Sequence, residues 1–568
     1  MVQVLLSWCW IGVSAFLWGF AVLRLIKKVD GYREKSLDMT LVLGLCFLTV
    51  YAQIFSLFYK VGAAATIFLL VIDLVIFLFW RKEIVSRFSV DRIRTICFVL
   101  IMGIVLMISA TVIRHYDSYL YHAQSIRWIE EYGIVQGLGN LYNRLAYNSS
   151  FFPLQALFSM EFLLGNSLHS VNGFLVVLMV GYALCTMKVF KHKRIYASDF
   201  MRLALLMFLM DRENCCVISS PGSDILVLGL IVYILAKWVT YWEEGEQETA
   251  PYALLCLLGV YAVSVKLTAA MIVLLVLFPA IKLIVKKQWK HILFYVGLGA
   301  VIIAPFLIRN VVISGYLLYP YPELDLFQVD WKMPEYTLLF DRNEIKAWGW
   351  GLNDVYRYDA PIAEWFPVWV KTLGNTMEKM FYVNLLLVIP AMVYGIRRGI
   401  VKKDWNPCVI IISMIASLAL WFGGSPLPRY GKIFLLLLPL FLLGEVLTYI
   451  FRNAKILYGI RITFAICIIC CLKPAINYVR ISEVNELKSP DYVAMEANEI
   501  MLGSEIIYCP AVGDQMGYHK FPSTPYAARL PLIELRGESL NNGFRMKEDY
   551  RDAFITTYGQ VHETNMFE

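Results

Sequence analysis

The stretch Arg114–His122 has the residue types most suited to chemistry, because a carboxylate, two imidazoles and a serine follow the end of an apolar block. Asp117 can take a proton from an incoming hydroxyl or bind a divalent ion. His115 and His122 can ligate a metal or move protons, although side chains that simply settle at a membrane interface are the commoner case. An Asp at the start of a helical pattern is also a common helix cap.

A second group of polar residues follows in Asn140–Ser150. Arg144 is a planar cation among amides and hydroxyls, a set that suits phosphate or sugar oxygens. The alternative is a loop that bonds to its own backbone. Asn148-Ser149-Ser150 also matches a glycosylation sequon, which is a weak three-residue signal.

Three cations stand where an apolar block meets the outer face of the membrane, namely Lys266, Arg309 and Arg429. The positive-inside rule does not expect cations on this side. A phosphate-bearing headgroup would explain them, and so would side chains that snorkel to ordinary lipid headgroups. Asp224 begins a later block on the same face, as a second carboxylate of the site or as another helix cap.

The elements that carry these residues are those of a membrane protein. Of 568 residues, 59% are hydrophobic and 17% are charged, against roughly 25% charged in soluble domains. We count fourteen apolar blocks that could cross a bilayer, give or take two. They lie near residues 2–26, 38–58, 61–80, 95–113, 168–190, 200–216, 222–242, 250–265, 267–285, 291–309, 376–396, 407–422, 431–450 and 459–476. The first block lacks a cleavage site, which predicts a retained anchor.

The net charge of +7 comes from Lys and Arg in the loops, so no nucleic-acid partner is predicted. If the spans alternate, five basic clusters fall on one, cytoplasmic face, and the N-terminus lies outside. The chain then divides into a three-helix addition (1–94), a membrane core (95–476) with outer loops 114–167 and 310–375, and an outer C-terminal cap (477–568). Most of the 12 cysteines lie inside apolar blocks and form no metal or redox motif.

The outer segments have patterns of their own. Tyr119–Tyr132 is predicted to be an amphipathic surface helix, with Ser118, Gln124, Arg127, Glu130 and Glu131 turned away from the membrane. Phe151–Leu164 is apolar but too short to cross, which indicates a re-entrant or interfacial helix. Short apolar strands in the tail, such as Glu505–Val512 and Leu530–Leu535, predict a small mixed α/β cap.

The order of these features resembles the GT-C superfamily of membrane glycosyltransferases, and most closely a bacterial branch of polytopic GT-C-like proteins. The likeness spans about residues 95–545. It is carried by Asp117–His122 with Trp128, Gly137–Ser149, Ser220–Asp224, Arg309–Pro320, Pro428–Tyr430, and Gly513–Gln515 with Phe521–Pro525. The resemblance implies an all-α polytopic membrane fold with a small mixed α/β outer C-terminal segment.

The resemblance also implies a reaction: transfer of a sugar from a polyprenyl-phosphate-linked donor to a glycan, lipid or protein acceptor on the outer face of a bacterial inner membrane. Asp117 would be the catalytic base. Many relatives have paired acids at this position, whereas Asp117 is followed by Ser118 and Tyr119, which puts a divalent ion (Mg²⁺ or Mn²⁺) at Asp117 in doubt. The predicted substrate-binding residues are His122, Arg144, Asn148, Asp224, Lys266, Arg309, Asn310, Arg429 and Asp514.

Three other functions remain open at this point. A polymerase or ligase of lipid-linked oligosaccharides, of the O-antigen or capsule type, shares the architecture and depends on outer-loop arginines. A lipid-sugar flippase or other transporter should carry more charges at mid-span than Asp73, the main one in this sequence. A non-catalytic assembly partner is the fourth reading.

Overall fold

The protein is a helical integral membrane protein. The computed structural model describes residues 1–86, 92–192, 194–451, 454–489 and 491–562, without the side chains of 85–94 and 452–456. Ten helices in the described part are long and apolar enough to cross a membrane. Their bounds are Val2–Asp30, Leu37–Phe58, Ala63–Ser86, Asp224–Glu243, Leu267–Val285, Trp289–Ser314, Ile362–Lys402, Asn406–Gly423, Pro428–Ile450 and Ala454–Ile481.

The remaining predicted blocks are also helical, although they are not among these ten helices. They form Arg92–Ser109, Val171–Thr186 and Ala250–Val265, while block 200–216 breaks into Ala197–Leu209 and Arg212–Ile218. Fourteen crossings therefore stay a prediction, with ten helices of sufficient length among the described residues.

Three of the described spans are irregular, and one of them, Ala63–Ser86, leaves the helical region at Trp80. Leu267–Val276 is a 3-10 helix that continues as the α-helix Leu277–Val285. Ile362–Lys402 bends at Gly374, whose backbone leaves the helical region. The bend falls next to the predicted boundary between loop 310–375 and the apolar block 376–396, whereas the 3-10 helix lies inside a block whose composition alone indicates a plain helix.

The two long loops, 114–167 and 310–375, are folded against the membrane helices. The first contains a π-helical turn (Ser118–His122), the helix Ala123–Tyr132, a short helix (Leu138–Leu141), a 3-10 turn (Asn143–Ala146), and the helices Phe151–Leu157 and Glu161–Leu164. Every residue of Phe151–Leu157 is buried. The second loop contains a 3-10 turn (Pro322–Leu324) and the helix Glu335–Gly349.

The tail differs from the predicted mixed α/β cap. Its described part after Ile481 contains three antiparallel strand pairs and three 3-10 turns, and no α-helix. The pairs are Ala497–Leu502 with Glu505–Pro510, Ile533–Leu535 with Phe544–Met546, and Phe554–Ile555 with Val561–His562. The 3-10 turns are Ala527–Leu532, Leu540–Asn542 and Glu548–Tyr550.

The helix Ala123–Tyr132 corrects a second expectation, because its polar face does not turn away into water. Gln124 donates from Nε2 to the carbonyls of Gly517 (3.0 Å) and Lys520 (2.9 Å). Glu130 accepts the Tyr518 hydroxyl at 2.7 Å. The tail therefore covers the polar side of this helix. Gln124 and Glu130 bond to the tail instead of facing water.

Candidate functional site

Four charged side chains predicted from separate parts of the sequence meet in two ion pairs at the ends of helices. Arg429 Nη2 lies 2.9 Å from Asp117 Oδ2. Lys266 Nζ lies 2.5 Å from Asp224 Oδ1. The two pairs adjoin at Tyr430, whose ring centroid is 4.0 Å from Lys266 Nζ and 4.7 Å from the Arg429 guanidinium carbon. We call these five residues the charged cluster.

The local chain explains how each member reaches the cluster. Pro428 starts the helix that carries Arg429, at a position where a missing backbone N–H costs nothing. Lys266 has extended backbone between Ala250–Val265 and the following 3-10 helix, so its side chain leaves the helical path. Asp224 is the first residue of its helix. The cluster is therefore built from helix ends, where charged groups do not have to cross an apolar interior.

Asp117 is not a simple helix cap. It stands at the residue before Ser118–His122, but its side chain makes no capping hydrogen bond there. Its carboxylate accepts from Arg429 instead. Burial alone would raise the pKa of Asp117, but the neighbouring positive charge, above all that of Arg429, outweighs burial and holds the pKa below its usual range. Asp117 is therefore ionised at neutral pH.

The two histidines form a pair with Ser118. Their rings are stacked with centroids 5.6 Å apart, and Ser118 Oγ lies 3.2 Å from His115 Nδ1 and 3.3 Å from His122 Nδ1. Burial lowers the pKa of His122 to about 3 and also lowers that of His115. Both rings are neutral near pH 7, so they do not add positive charge beside Asp117.

Arg144 lies close to a third set of polar groups. Two fully buried acids, Asp341 and Glu344, come from the helix Glu335–Gly349. Asp341 accepts from Asn143 (2.7 Å), Tyr147 (2.6 Å) and Tyr319 (3.1 Å), whereas Glu344 accepts from Thr557 (2.6 Å) and Tyr558 (2.7 Å). Burial raises the pKa of Asp341 to about 6.

Asp341 and Glu344 are not among the site residues predicted from the sequence. Their spacing of three places both side chains on one face of a helix, and this was the signal available. No sequence pattern indicates the buried tyrosines and threonine that surround them, because those come from remote parts of the chain.

Arg309, Asn148 and Asn310 form a separate bracing set. Arg309, 2% exposed, donates to Asn148 Oδ1 (3.0 Å), Ser56 Oγ (2.5 Å) and the Gly133 carbonyl (3.3 Å). Asn148 donates to Asn310 Oδ1 at 3.0 Å. Ser56 and Gly133 lie at the C-terminal ends of two helices, whose carbonyl ends favour a cation. The structure thus places Arg309 among neutral partners and outside the charged cluster. Asn148, the acceptor residue of the sequon, is buried.

Asp514 approaches the site from the tail. Both of its carboxylate oxygens accept the Tyr116 hydroxyl at 2.6 Å. Tyr116 directly precedes Asp117, so the loop Gly513–Gln515 is tied to the residue next to the charged cluster. The tail therefore borders the charged cluster through Asp514, and it also packs on the helix Ala123–Tyr132.

The side chains around Asp117 fit a divalent metal ion poorly. Across the described ranges, no group of three or more His, Cys, Asp or Glu side chains is arranged to hold a metal ion. Asp117 is paired with Arg429, and its companion acid Asp224 is paired with Lys266. We therefore derive no chemical step through a metal.

Residues 1–436 match a family described as a domain of unknown function (DUF8201). The chain belongs to this family. The matched DUF8201 segment includes the whole charged cluster and Arg144, whereas Asp514 and Thr557 lie beyond it. No curated protein and no solved structure matches the chain.

Proposed function

We propose that the protein is a membrane glycosyltransferase that moves a sugar from a polyprenyl-phosphate-linked donor to an acceptor on the outer face of the membrane. The observation that carries the proposal is the meeting of Asp117, Asp224, Lys266 and Arg429 in two adjoining ion pairs at the ends of membrane helices. A base and two cations at the end of an apolar bundle are the groups that attack on a lipid-linked sugar phosphate requires.

The cations would bind the donor phosphate. Arg429 is the more exposed of the two, with 44% of its side chain accessible, and Lys266 has 28%. A phosphate bound by these two cations would replace the carboxylates as their partner. The same cations would then stabilise the negative charge that grows on the leaving phosphate.

Asp117 would act as the general base. In the proposed step the acceptor hydroxyl gives its proton to Asp117 while its oxygen bonds to the anomeric carbon. The bond between that carbon and the phosphate oxygen breaks, its electron pair stays on the polyprenyl phosphate, and the anomeric centre inverts. Donor binding at Arg429 removes the main cation that lowers the pKa of Asp117, so the carboxylate becomes a stronger base once the donor is bound.

The proposal includes a topology. Fourteen crossings, with the N-terminus, both long loops and the tail outside, place the charged cluster on the outer face of a bacterial inner membrane. This arrangement agrees with the basic clusters of the sequence, which then all face the cytoplasm.

One observation favours a second candidate, a polymerase or ligase of lipid-linked oligosaccharides. Asp117 is bonded to Arg429, and in such an enzyme the carboxylate would only hold the arginine in place. The two candidates differ in which residue is indispensable. A transferase of the proposed type needs Asp117, whereas a ligase tolerates its loss better than the loss of Arg429.

The experiment replaces Asp117 by Asn in the source organism and compares surface glycans and lipid-linked intermediates with wild type and a deletion strain, by gel and mass spectrometry. We expect the variant to match the deletion at a normal protein level. Asp325→Asn, at an exposed Asp that pairs with Lys332, is the matched control and should behave as wild type. Unchanged glycans in Asp117→Asn would reject the transferase, and loss in Arg429→Gln alone would favour the ligase.

A further inference from the structure

Arg144 differs from the other cations of the site because its hydrogen-bond donors are unused. Its side chain is 11% exposed, and the nearest carboxylate oxygen, Glu344 Oε1, is 3.9 Å from Nη2. Its Nε is buried without a partner, and the guanidinium donates to no residue that the structure describes. Lys266, Arg309 and Arg429 each donate to at least one described acceptor.

The surroundings hold this guanidinium in place without occupying its donors. The ring of Trp348 lies 4.9 Å from its central carbon. The acids Asp341 and Glu344 compensate its charge, but their oxygens already accept from hydroxyls and an amide. The Arg144 guanidinium is planar and charged, lies against Trp348 and has no hydrogen-bond acceptor among the residues that the structure describes. Such a group can bind a carboxylate or a phosphate through two parallel hydrogen bonds.

A second unpartnered group accompanies Arg144. The Tyr142 side chain is fully buried, and its hydroxyl has no hydrogen-bond partner among the described residues. Tyr142 precedes Arg144 by two residues; burial raises the pKa of its phenol well above the usual range, and the charge of Arg144 lowers it. A buried hydroxyl and a buried guanidinium nitrogen without partners are costly unless a further molecule bonds to them.

The position of Arg144 separates it from the proposed donor site. Its close neighbours come from the outer loops and the tail, including Trp348 and the half-buried Tyr526 and Tyr558, which feel its charge. Lys266 and Arg429 instead stand at the ends of membrane helices. Asp117 lies within reach of both charges, since Arg429 contacts it and Arg144 acts on it over a longer distance.

We propose that Arg144, Tyr142 and Trp348 form an oxyanion subsite that holds a carboxylate or phosphate group of a glycan acceptor. The inference rests on the proposed function, in which Asp117 receives the proton of the acceptor hydroxyl. It adds that the acceptor is acidic: its charged group is anchored at Arg144 while a neighbouring hydroxyl reaches Asp117.

The test measures binding, so it does not depend on catalysis. The full chain in lipid nanodiscs is titrated with D-glucuronate, inorganic phosphate and D-glucose, and affinities are read by saturation-transfer NMR. Undecaprenyl phosphate binding is measured on the same samples by native mass spectrometry. The variants are Arg144→Lys, which keeps the charge and loses the fork, and Tyr142→Phe, which removes only the unbonded hydroxyl. Arg342→Lys, at a surface pair with Glu323, is the control.

We expect at least one of the two anions to bind and glucose not to bind. Arg144→Lys should weaken anion binding at least tenfold and Tyr142→Phe severalfold, with undecaprenyl phosphate binding unchanged. Preference for glucuronate identifies a uronate, and preference for phosphate a phosphorylated glycan. Anion binding that is absent, or insensitive to both variants, overturns the proposal and leaves water as the occupant. Loss of undecaprenyl phosphate binding in Arg144→Lys also overturns it, by assigning Arg144 to the donor. Neither result affects the Asp117→Asn glycan experiment, which tests the transferase proposal separately.

Discussion

Asp117 and Arg429, 312 residues apart in the chain, are joined by a hydrogen bond of 2.9 Å between Oδ2 and Nη2. The contact links loop 114–167 to the start of a helix near the other end of the membrane domain. In the proposed mechanism it keeps Asp117 ionised and bonded until another anion binds the guanidinium. Resting and reactive states of the proposed enzyme would then differ by an exchange of hydrogen-bond partners.

Replacing Arg429 by Gln should weaken undecaprenyl phosphate binding about tenfold or more, because a charge-assisted hydrogen bond contributes about 1.5–3 kcal/mol. Native mass spectrometry in nanodiscs measures the change. Lys432 is the matched control, since it lies on the same helix and pairs with Asp211 and Glu213 away from the cluster. Equal loss in Lys432→Gln would mean that only overall charge attracts the lipid.

Asp224→Asn should lower the free energy of unfolding by about 1–3 kcal/mol, because it leaves the partly buried Lys266 ammonium without its carboxylate. The double variant Asp224→Asn with Lys266→Gln should recover part of the loss, since no unpaired charge remains. Thermal unfolding of wild type, Asp224→Asn, Lys266→Gln and the double variant gives the coupling energy of the pair. Strictly additive losses would show that the ion pair contributes nothing specific.

Arg309→Gln should destabilise the fold by about 3 kcal/mol or more, since it removes three hydrogen bonds and leaves buried acceptors unsatisfied. Arg309→Lys should not restore stability, because one ammonium cannot reach the same three acceptors. The comparison is Arg357→Gln, at an exposed pair with Glu364, where a change within about 0.5 kcal/mol is expected. A stable Arg309→Gln protein would contradict the bracing role.

Glu130 should make folding depend on pH. Burial raises its pKa to about 7, against the hydrogen bonds from Ser159, Tyr518 and Ser167, which lower it. An unfolded Glu titrates near about 4.3, so the folded chain holds a proton that the unfolded chain releases between these values. This group therefore makes stability fall as pH rises from about 4.3 to about 7. Above pH 7 the loss is complete, and it amounts to at most about 4 kcal/mol.

The difference in unfolding free energy between Glu130→Gln and wild type isolates this effect. It should shift in favour of the variant as pH rises through that window and stay constant above it. Glu131→Gln, at the more exposed neighbour, is the control variant measured over the same pH range. A flat difference for Glu130→Gln would mean that the pKa of Glu130 is the same in the folded and the unfolded chain.

The sequence predicts the helical membrane fold and the members of the charged cluster for one physical reason. Long apolar blocks have few other solutions than helices, and charged residues at their outer ends are forced to one level of the membrane. The same rule selected Arg309, which lies at a helix end but among neutral partners. Depth in a membrane can be derived from hydropathy, whereas lateral neighbours depend on how the helices pack.

The contacts between the helix Ala123–Tyr132 and the tail could not be predicted from the sequence. Gln124 and Glu130 have the spacing of a solvent-facing helix stripe, and that spacing is equally compatible with a polar interface to another part of the chain. Only the fold decides between water and the tail as the partner. Asp514 was named by a family likeness, and its contact with Tyr116 is a consequence of the same packing.

The 3-10 helix Leu267–Val276 has a consequence for length. A 3-10 helix rises about 2.0 Å per residue and an α-helix about 1.5 Å, so these ten residues extend about 20 Å instead of about 15 Å. With the α-helical Leu277–Val285, the segment reaches a little over 30 Å, which matches the hydrocarbon thickness of roughly 30 Å. A span of only 19 residues can thus hold Lys266 at one boundary of the bilayer and Lys286 at the other.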